Sequence, residues 1–231
     1  RFFVEPYQIQ EEEHRIILTG SDVNHMKNVL RMKVGEDVRI NDGQGTTYLC
    51  CLNRYEKDQA VLDVFRKLDT ETELPSEIIL FQGLPKGDKM EWIVQKSVEL
   101  GAHKIVPFSA KRSVVKLDEK KAVKKQERWQ AIAESAAKQS RRGIIPKVSK
   151  VMGFKEALAY AESLDKNIIP YENYKDLEET RRVLDEIQEN MKVGIFIGPE
   201  GGFDETEVSG RHGWLRWFCI GAGRFPEIGN T

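Results

Sequence analysis

The stretch Ile197-Gly198-Pro199-Glu200-Gly201-Gly202-Phe203 carries the strongest chemical signal in the chain. It follows the short apolar run Val193 to Ile197 and leads into Asp204-Glu205-Thr206-Glu207, the pattern of a buried strand that breaks at a glycine-rich turn and restarts as a helix. Such a turn leaves backbone N–H groups pointing outward, where a ligand can collect them. It has neither the G-x-G-x-x-G order of a dinucleotide fold nor the G-x-x-x-x-G-K-S/T order of a phosphate loop, and no lysine follows to meet a γ-phosphate. Glu200 sits in its middle instead, which disfavours a polyphosphate and tolerates a ligand carrying positive charge. The plainer alternative is a tight strand-to-helix turn that binds nothing.

A second signal is the placement of charge. The formal net charge is only −1, yet between Lys86 and Lys150 there are 17 Lys/Arg against 7 Asp/Glu, which leaves 19 against 30 elsewhere. A solvated face accounts for many such runs, but clustered positive charge beside a small-ligand turn is what a polyanionic partner such as RNA requires. At 231 residues, 40% hydrophobic and 32% charged, the chain can bury one good core or two modest ones. No stretch approaches the roughly 18 apolar residues of a spanning helix, and Arg1-Phe2-Phe3-Val4-Glu5 lacks a signal-peptide layout, so a soluble, cytoplasmic protein with no membrane role is expected. Cys50, Cys51 and Cys219 have no paired spacing, and His14, His25, His103 and His212 show no ligand spacing, so neither a disulfide framework nor a metal is expected.

The elements that must position these residues fall into two patterns. Up to about Asp69 the signals are short and mostly β: Val38 to Ile40, the turn Asp42-Gly43-Gln44-Gly45, Thr47 to Leu52, then Ala60 to Phe65. One helix is expected over Ser21 to Met32, with Met26, Val29 and Leu30 on one face. A small β-barrel carrying one helix fits this part. Leu68 to Ser76 is acidic and contains Pro75, which places a boundary there and gives domains 1–72 and 73–231. From Glu77 onward strands (Ile78 to Phe81, Ile105 to Phe108, Asn167 to Tyr171, Val193 to Ile197) alternate with amphipathic helices, an α/β pattern with a parallel sheet. Asp88 and Glu91 form a capping pair ahead of one helix that Gly101 ends. Trp129, Ile132, Ala133, Ala136 and Ala137 stripe another that stops at Gly143.

Three patches read together carry a resemblance: Gly83-Leu84-Pro85-Lys86-Gly87-Asp88-Lys89-Met90-Glu91-Trp92 through Gly101; Arg128-Trp129 through Gln139-Ser140-Arg141-Arg142; and Ile197 to Phe203. In that order and spacing, with His25-Met26-x-x-Val29-Leu30-Arg31 ahead of them, the chain resembles the bacterial ribosomal small subunit methyltransferase E family from Phe2 to about Val208. The resemblance implies an N-terminal PUA-like β-barrel domain, RNA-binding, and a C-terminal SPOUT α/β methyltransferase domain whose trefoil knot holds S-adenosyl-L-methionine. It implies methylation of N3 of a specific uridine in 16S rRNA, in a small ribosomal subunit, by a homodimer. A related knotted ribose 2′-O-methyltransferase and a catalytically silent RNA-binding module remain as alternatives.

Methyl transfer to uracil N3 is an in-line displacement from a sulfonium donor, so nucleophile and methyl carbon must be held aligned while the N3 proton is lost. On the resemblance, Ile197, Gly198, Pro199, Gly201 and Gly202 form the cofactor loop, and Tyr171-Glu172, past a strand end at the same rim, forms a second one. Glu200 either senses the sulfonium or orients the base, or else caps the following helix. Arg142, with Gln139 and Ser140, contacts the target nucleotide and stabilises charge developing on uracil oxygens, or else complements a helix C-terminus. Lys86, Lys89, Arg112 and Arg31 are expected at phosphates, and His25 is expected to pack or cap within the first domain.

The tail departs from the family. After the glycine turn the family continues into a strand and a second loop resembling Leu-Gly-x-Arg-Ile-Leu-Arg-x-Glu-Thr-Ala, whereas this chain reads Gly210-Arg211-His212-Gly213-Trp214-Leu215-Arg216-Trp217-Phe218, without capping or clear periodicity. Shifting the reading frame by one base lets Phe225 to Thr231 encode Phe-Leu-Arg-Leu-Glu-Thr, close to the missing loop. The hypothesis is a frame error near Val208 to Gly210. Resequencing the coding DNA is expected to find it; an unbroken frame with an intact mass matching these 231 residues refutes it.

Overall fold

The computed structural model describes residues 2–69, 72–111, 118–171, 177–203 and 217–221, and only the main chain of Asp69, Tyr171, Leu177, Glu179 and residues 217–221. Two compact units emerge. One comprises the residues up to Glu73 together with Glu134–Ile145; the other comprises Leu74–Ala133 and the residues from Pro146 on.

The first unit is built on β1 (Phe2–Phe3), β2 (Ile9–Gln10), β3 (Arg15–Thr19), α1 (Ser21–Asn24), β4 (Asp37–Asn41), β5 (Thr46–Tyr55) and β6 (Gln59–Asp69). The strands pair in the order β1-β4-β5-β6-β3-β2, with only β1 and β4 parallel. Among the described residues the six strands form one continuous ladder with β1 and β2 at its ends. Alternating side chains bury Ile16, Leu18, Ile40, Cys50, Leu52 and Leu62 in one core. Burial pushes the Cys50 thiol up to about 12, leaving it unreactive. The β4–β5 turn forms where the Asp-Gly pair predicts it: the Asp42 carboxylate accepts the amides of Gln44 (2.8 Å) and Thr46 (2.9 Å).

The helix expected over Ser21 to Met32 differs. α1 gives way at once to a π-turn, His25–Val29, in which the Leu30 amide reaches back five residues to the His25 carbonyl (2.9 Å). The wider turn breaks the 3.6-residue spacing that would have put Met26, Val29 and Leu30 on one face. Met26 is fully buried, while Val29 is 62% and Leu30 50% exposed.

By its contacts the segment Glu134–Ile145 groups with the first unit, although it lies within the stretch 73–231 that the sequence assigns to the second domain. Its anchors are polar and long-range. Asn41 donates its amide to the Arg142 carbonyl (3.0 Å), and the Glu73 carboxylate accepts the Arg142 guanidinium and the main-chain amides of Gly143 (2.8 Å) and Ile144 (3.3 Å). The Arg142 side chain is only 4% exposed. Lacking any sequence periodicity, such a joint is invisible to pattern reading.

The second unit follows the predicted α/β alternation. Its elements are β7 (Glu77–Gly83), α2 (Lys89–Glu99), β8 (Lys104–Ser109), α3 (Glu119–Gln139), β9 (Lys147–Val148), β10 (Met152–Gly153), α4 (Phe154–Ala161), β11 (Lys166–Tyr171), α5 (Leu177–Asp185), β12 (Lys192–Ile197) and β13 (Trp217–Gly221). The sheet is all parallel, in the order β10-β8-β7-β12-β11-β13, with β9 also on β8. Parallel strands covered on both faces read as continuous apolar runs, as β8 and β12 do. Phe81 stacks on Phe196 at 4.1 Å and 8°, with Phe108 beside them, all fully buried. The tail segment Trp217–Gly221 pairs with β11 over five residues; its apolar run suffices for a strand even though no periodicity announced it.

One local expectation is adjusted. Asp88 precedes α2 but makes no side-chain cap, because its φ of −99° and ψ of 10° are not the extended conformation that aims a capping oxygen at the helix. Glu91 instead pairs with Arg128 at 2.8 Å. α3 starts at Glu119, about three turns before Trp129, and Asp118 accepts the Lys121 amide (2.8 Å) as its cap.

Glu73→Ala leaves a buried guanidinium and two amides without their acceptor, and is expected to cost about 3–5 kcal/mol in urea unfolding. Glu73→Gln, which keeps an acceptor for the amides, is expected to lose less.

Candidate functional site

In a parallel sheet every strand delivers its carboxyl end to the same rim, and a crevice opens where neighbouring strands send their connections in opposite directions. β7 and β12 meet this condition: β7 leads through α2 to β8 on one side, while the chain after β12 reaches β13 on the other. At that point lie Gly83-Leu84-Pro85 and Gly198-Pro199-Glu200-Gly201-Gly202.

The two turns press directly on each other. A Cβ on Gly83 would lie 2.7 Å from the Pro199 nitrogen and ring and 3.1 Å from the Gly198 carbonyl carbon, so only glycine allows the approach. A Cβ on Gly198 would lie 3.1 Å from the Gly202 carbonyl carbon. Gln82, itself buried, donates its amide to the Gly83 carbonyl (2.9 Å) and reaches the Gly198 carbonyl (3.4 Å), joining the strand ends. The Gly202 amide closes the turn onto the Pro199 carbonyl (2.8 Å), so this one of the expected outward N–H groups is engaged within the turn. Phe203 then buries its ring parallel to Phe108. Between these anchors Glu200 and Gly201 are exposed, and Ile197, 37% exposed, offers an apolar lip.

Glu200 does not point at free space, and the helix expected after it from the sequence falls outside the described residues. Its carboxylate accepts the Lys86 amide (3.1 and 3.2 Å) and the Lys89 ammonium (2.8 Å). The Lys89 bond, followed by main-chain amides, holds the carboxyl down to about 2 from the ordinary 4.5. A carboxylate held that low is a poor proton acceptor, so Glu200 acts here as a strut tying the glycine turn to the start of α2. Lys89, expected at phosphate, is half of that strut, and Lys86 contributes its main chain to it while its side chain stays exposed.

The other sequence candidates fall in different places. Arg142, Gln139, Ser140 and Arg31 belong to the first unit. The expectation that Arg142 faces a nucleotide meets a buried pairing with Glu73, because the guanidinium found a carboxylate nearly as buried as itself. Ser140 donates its hydroxyl to the Ala136 carbonyl (2.7 Å), while Gln139 and Arg31 are exposed. Tyr171 ends β11; its side chain, Glu172 and Arg112 lie outside the described residues. Sequence reading passed over Gln82 and Glu73, whose importance comes entirely from partners over 60 residues away. Among the described residues no group of His, Cys, Asp and Glu is arranged to hold a metal, and no helix is long and apolar enough to cross a membrane.

Comparison with known proteins bears on this rim. A family model described as an RNA methyltransferase domain matches residues 72–212, and one described as an RNA methyltransferase PUA domain matches residues 18–65. The chain is 40% identical over 212 residues to the ribosomal RNA small subunit methyltransferase E of Bacillus subtilis, covering 90% of this chain and 83% of that protein. It is 30% identical to the protein of the same name from Mesomycoplasma hyopneumoniae, covering 90% and 84%. The crystal structure of the Neisseria gonorrhoeae ribosomal RNA small subunit methyltransferase E bound to S-adenosyl methionine superposes with a TM-score of 0.74 at 30% identity, covering 97% of this chain and 90% of that one. With such identity across nine tenths of its length, and with the RNA methyltransferase model spanning both the sheet and the glycine turn it carries, the chain belongs to the ribosomal RNA small subunit methyltransferase E family.

Proposed function

We propose that the protein uses S-adenosyl-L-methionine to methylate N3 of a uridine in 16S rRNA of the small ribosomal subunit, acting in the cytoplasm as a homodimer whose second unit closes a trefoil knot. The observation that carries this reading is the Gly-Pro-Glu-Gly-Gly turn at the β7–β12 switch point of the sheet, in a chain whose relatives are named for ribosomal RNA methylation and one of which holds the cofactor. The residues present suit that cofactor. The turn folds back on itself through main-chain contact, the exposed Ile197 gives an apolar surface for a flat base, and carbonyls of the turn can read its edge. When bound, S-adenosylmethionine supplies a methyl group on a positively charged sulfur.

What the chain itself does is hold and orient. Gly83, Gln82 and Pro199 fix the turn against β7, so the loop is ordered before any ligand arrives and less freedom is lost on binding. The Glu200 strut fixes its other side through Lys86 and Lys89. Glu200 takes the positioning role, in place of the direct chemistry considered from sequence. Arg142 holds the 134–145 segment in the first unit, and reaching a nucleotide would mean leaving the buried Glu73, at a cost of about 3–5 kcal/mol. Gln139, exposed at the end of α3, is left as the better candidate for contacting RNA.

Nucleoside mass spectrometry of small-subunit rRNA treated with the protein and labelled S-adenosylmethionine is expected to show 3-methyluridine. A 2′-O-methylated nucleoside favours the ribose methyltransferase, and no label at all favours the silent RNA-binding module.

Gly83→Ala is expected to weaken S-adenosylmethionine binding by calorimetry at least about tenfold, since a 2.7 Å clash with the Pro199 main chain must displace the turn. Glu200→Gln, which keeps the shape of the strut, is expected to weaken it by no more than about fivefold. The folded carboxyl is depressed, so its stabilisation is complete above about 4.5 and disappears only as pH falls through about 2. Cofactor affinity measured between pH 5 and 9 should accordingly show no inflection that Glu200→Gln removes.

A further inference from the structure

Gln82 carries more than bracing the glycine turn requires. It stands next to the end of β7, is only 4% exposed, and donates its Nε2 to the Gly83 carbonyl (2.9 Å) and the Gly198 carbonyl (3.4 Å). Carbonyl oxygens only accept, so these two partners settle which end of the side-chain amide is nitrogen and turn Oε1 the other way. Among the described residues Oε1 has no hydrogen-bond partner. The one side-chain nitrogen or oxygen among them that is both unpartnered and shut away from solvent is Asn167 Oδ1, so the free Gln82 Oε1 reaches solvent at the rim. Buried polar groups in folded proteins are nearly all paired, and a brace needs only the N–H groups of the amide. The oxygen is left over.

The register of the sheet fixes what lies beside that oxygen. Gln82 pairs with Ile197 on β12 and with Pro107 on β8. Residues paired in register share a face of a sheet, and the stack of Phe81 on its partner Phe196 marks the opposite face one residue earlier. Pro107, Gln82 and Ile197 therefore form a row on one face, spaced by about 4.8 Å from strand to strand. Pro107 is buried and Ile197 is 37% exposed, so the row opens on the Ile197 side. A flat base lying on Ile197 has its edge within reach of the Gln82 amide.

An oxygen with no proton to give selects a donor. Adenine carries one hydrogen-bond donor on its edges, the 6-amino group, while its unsubstituted ring nitrogens accept. Hypoxanthine has a carbonyl in place of that amine, and a carbonyl set against an amide oxygen leaves both unpaired. We propose that Gln82 determines which purine the rim accepts: Oε1 takes a hydrogen bond from the 6-amino group of an adenosyl ligand seated on Ile197, while Nε2 holds the turn that covers it. The proposal deepens the reading of this rim as an S-adenosylmethionine site, and rests on it for the choice of ligand.

Calorimetry with S-adenosyl-L-homocysteine and with its 6-oxo counterpart, S-inosyl-L-homocysteine, tests it without any methyl transfer. Wild-type protein is expected to bind the adenosyl compound at least about tenfold more tightly than the inosyl one. Gln82→Met is close in volume but has no amide. It is expected to bind both compounds more weakly, because the turn loses its brace, and to bring the ratio of the two affinities below about threefold. Gln82→Glu keeps an oxygen toward the rim, and is expected to hold the wild-type ratio while both affinities fall, since its other oxygen meets the Gly83 and Gly198 carbonyls. A residue that only braced the turn would lower both affinities in Gln82→Met and leave their ratio unchanged, and that result overturns the proposal. A wild-type ratio near one overturns it as well, whether or not Gln82→Met folds, as does a ratio lost in Gln82→Glu. If wild-type protein binds neither compound, the cofactor reading falls and this one with it. If it binds the adenosyl compound and the ratio ignores residue 82, the cofactor reading stands and only the role of Gln82 falls.

Discussion

The close approach of two strand ends at the centre of a parallel sheet is the constraint on which the candidate site depends. β7 and β12 lie side by side with their following connections diverging, and their terminal turns touch at Gly83 and Pro199 through atoms that leave no room for a Cβ. Gln82 sits beneath the contact and satisfies both strand-end carbonyls from one buried amide, which removes two polar groups that would otherwise need water. Above it the glycine turn is held at Pro199, at Phe203 and through Glu200, so only Ile197, Glu200 and Gly201 are presented outward. A loop restrained at three points keeps one shape, and a shape kept in advance is what alignment of a methyl donor requires.

Two carboxylates, Glu200 and Glu73, do comparable work in the two units. Each accepts main-chain amides and a cation at once, and each joins segments far apart in sequence. Their settings differ in consequence. Glu200 and Lys89 are solvent-exposed, and their tie is adjustable; Arg142 is almost wholly buried, and its tie to Glu73 is one the fold cannot release cheaply. The arginine most attractive as a catalytic group on sequence grounds is thereby held in a buried pairing, while Gln139 beside it is exposed.

Helix α3 illustrates how much of this was legible. Its alanine stripe from Trp129 to Ala137 is buried as the 3.6-residue period predicts, and its start at Asp118 obeys ordinary capping chemistry. The period says nothing of which neighbours receive the stripe, and the chain passes from the second unit to the first between Ala133 and Glu134. The π-turn shows the opposite failure. Ser21 to Met32 carries a good helical pattern, but main-chain bonds from Leu30 to His25 and from Met32 to Met26 set a wider spacing that turns Val29 and Leu30 outward.

By itself the sequence determined the elements whose signals are local: the apolar runs that become β7, β8, β11 and β12, the Asp42 turn, the glycine turn after β12, and the uneven distribution of positive charge. These are readable because backbone preference and burial periodicity act over a few residues. Only the tertiary structure decided the partners: Glu73 for Arg142, Lys89 for Glu200, Arg128 for Glu91, Gln82 for Gly198. Hydrogen bonds and ion pairs form within a few ångströms whatever the separation along the chain, so a carboxylate's role is fixed by which cation the fold brings to it and by how much water is excluded when it arrives.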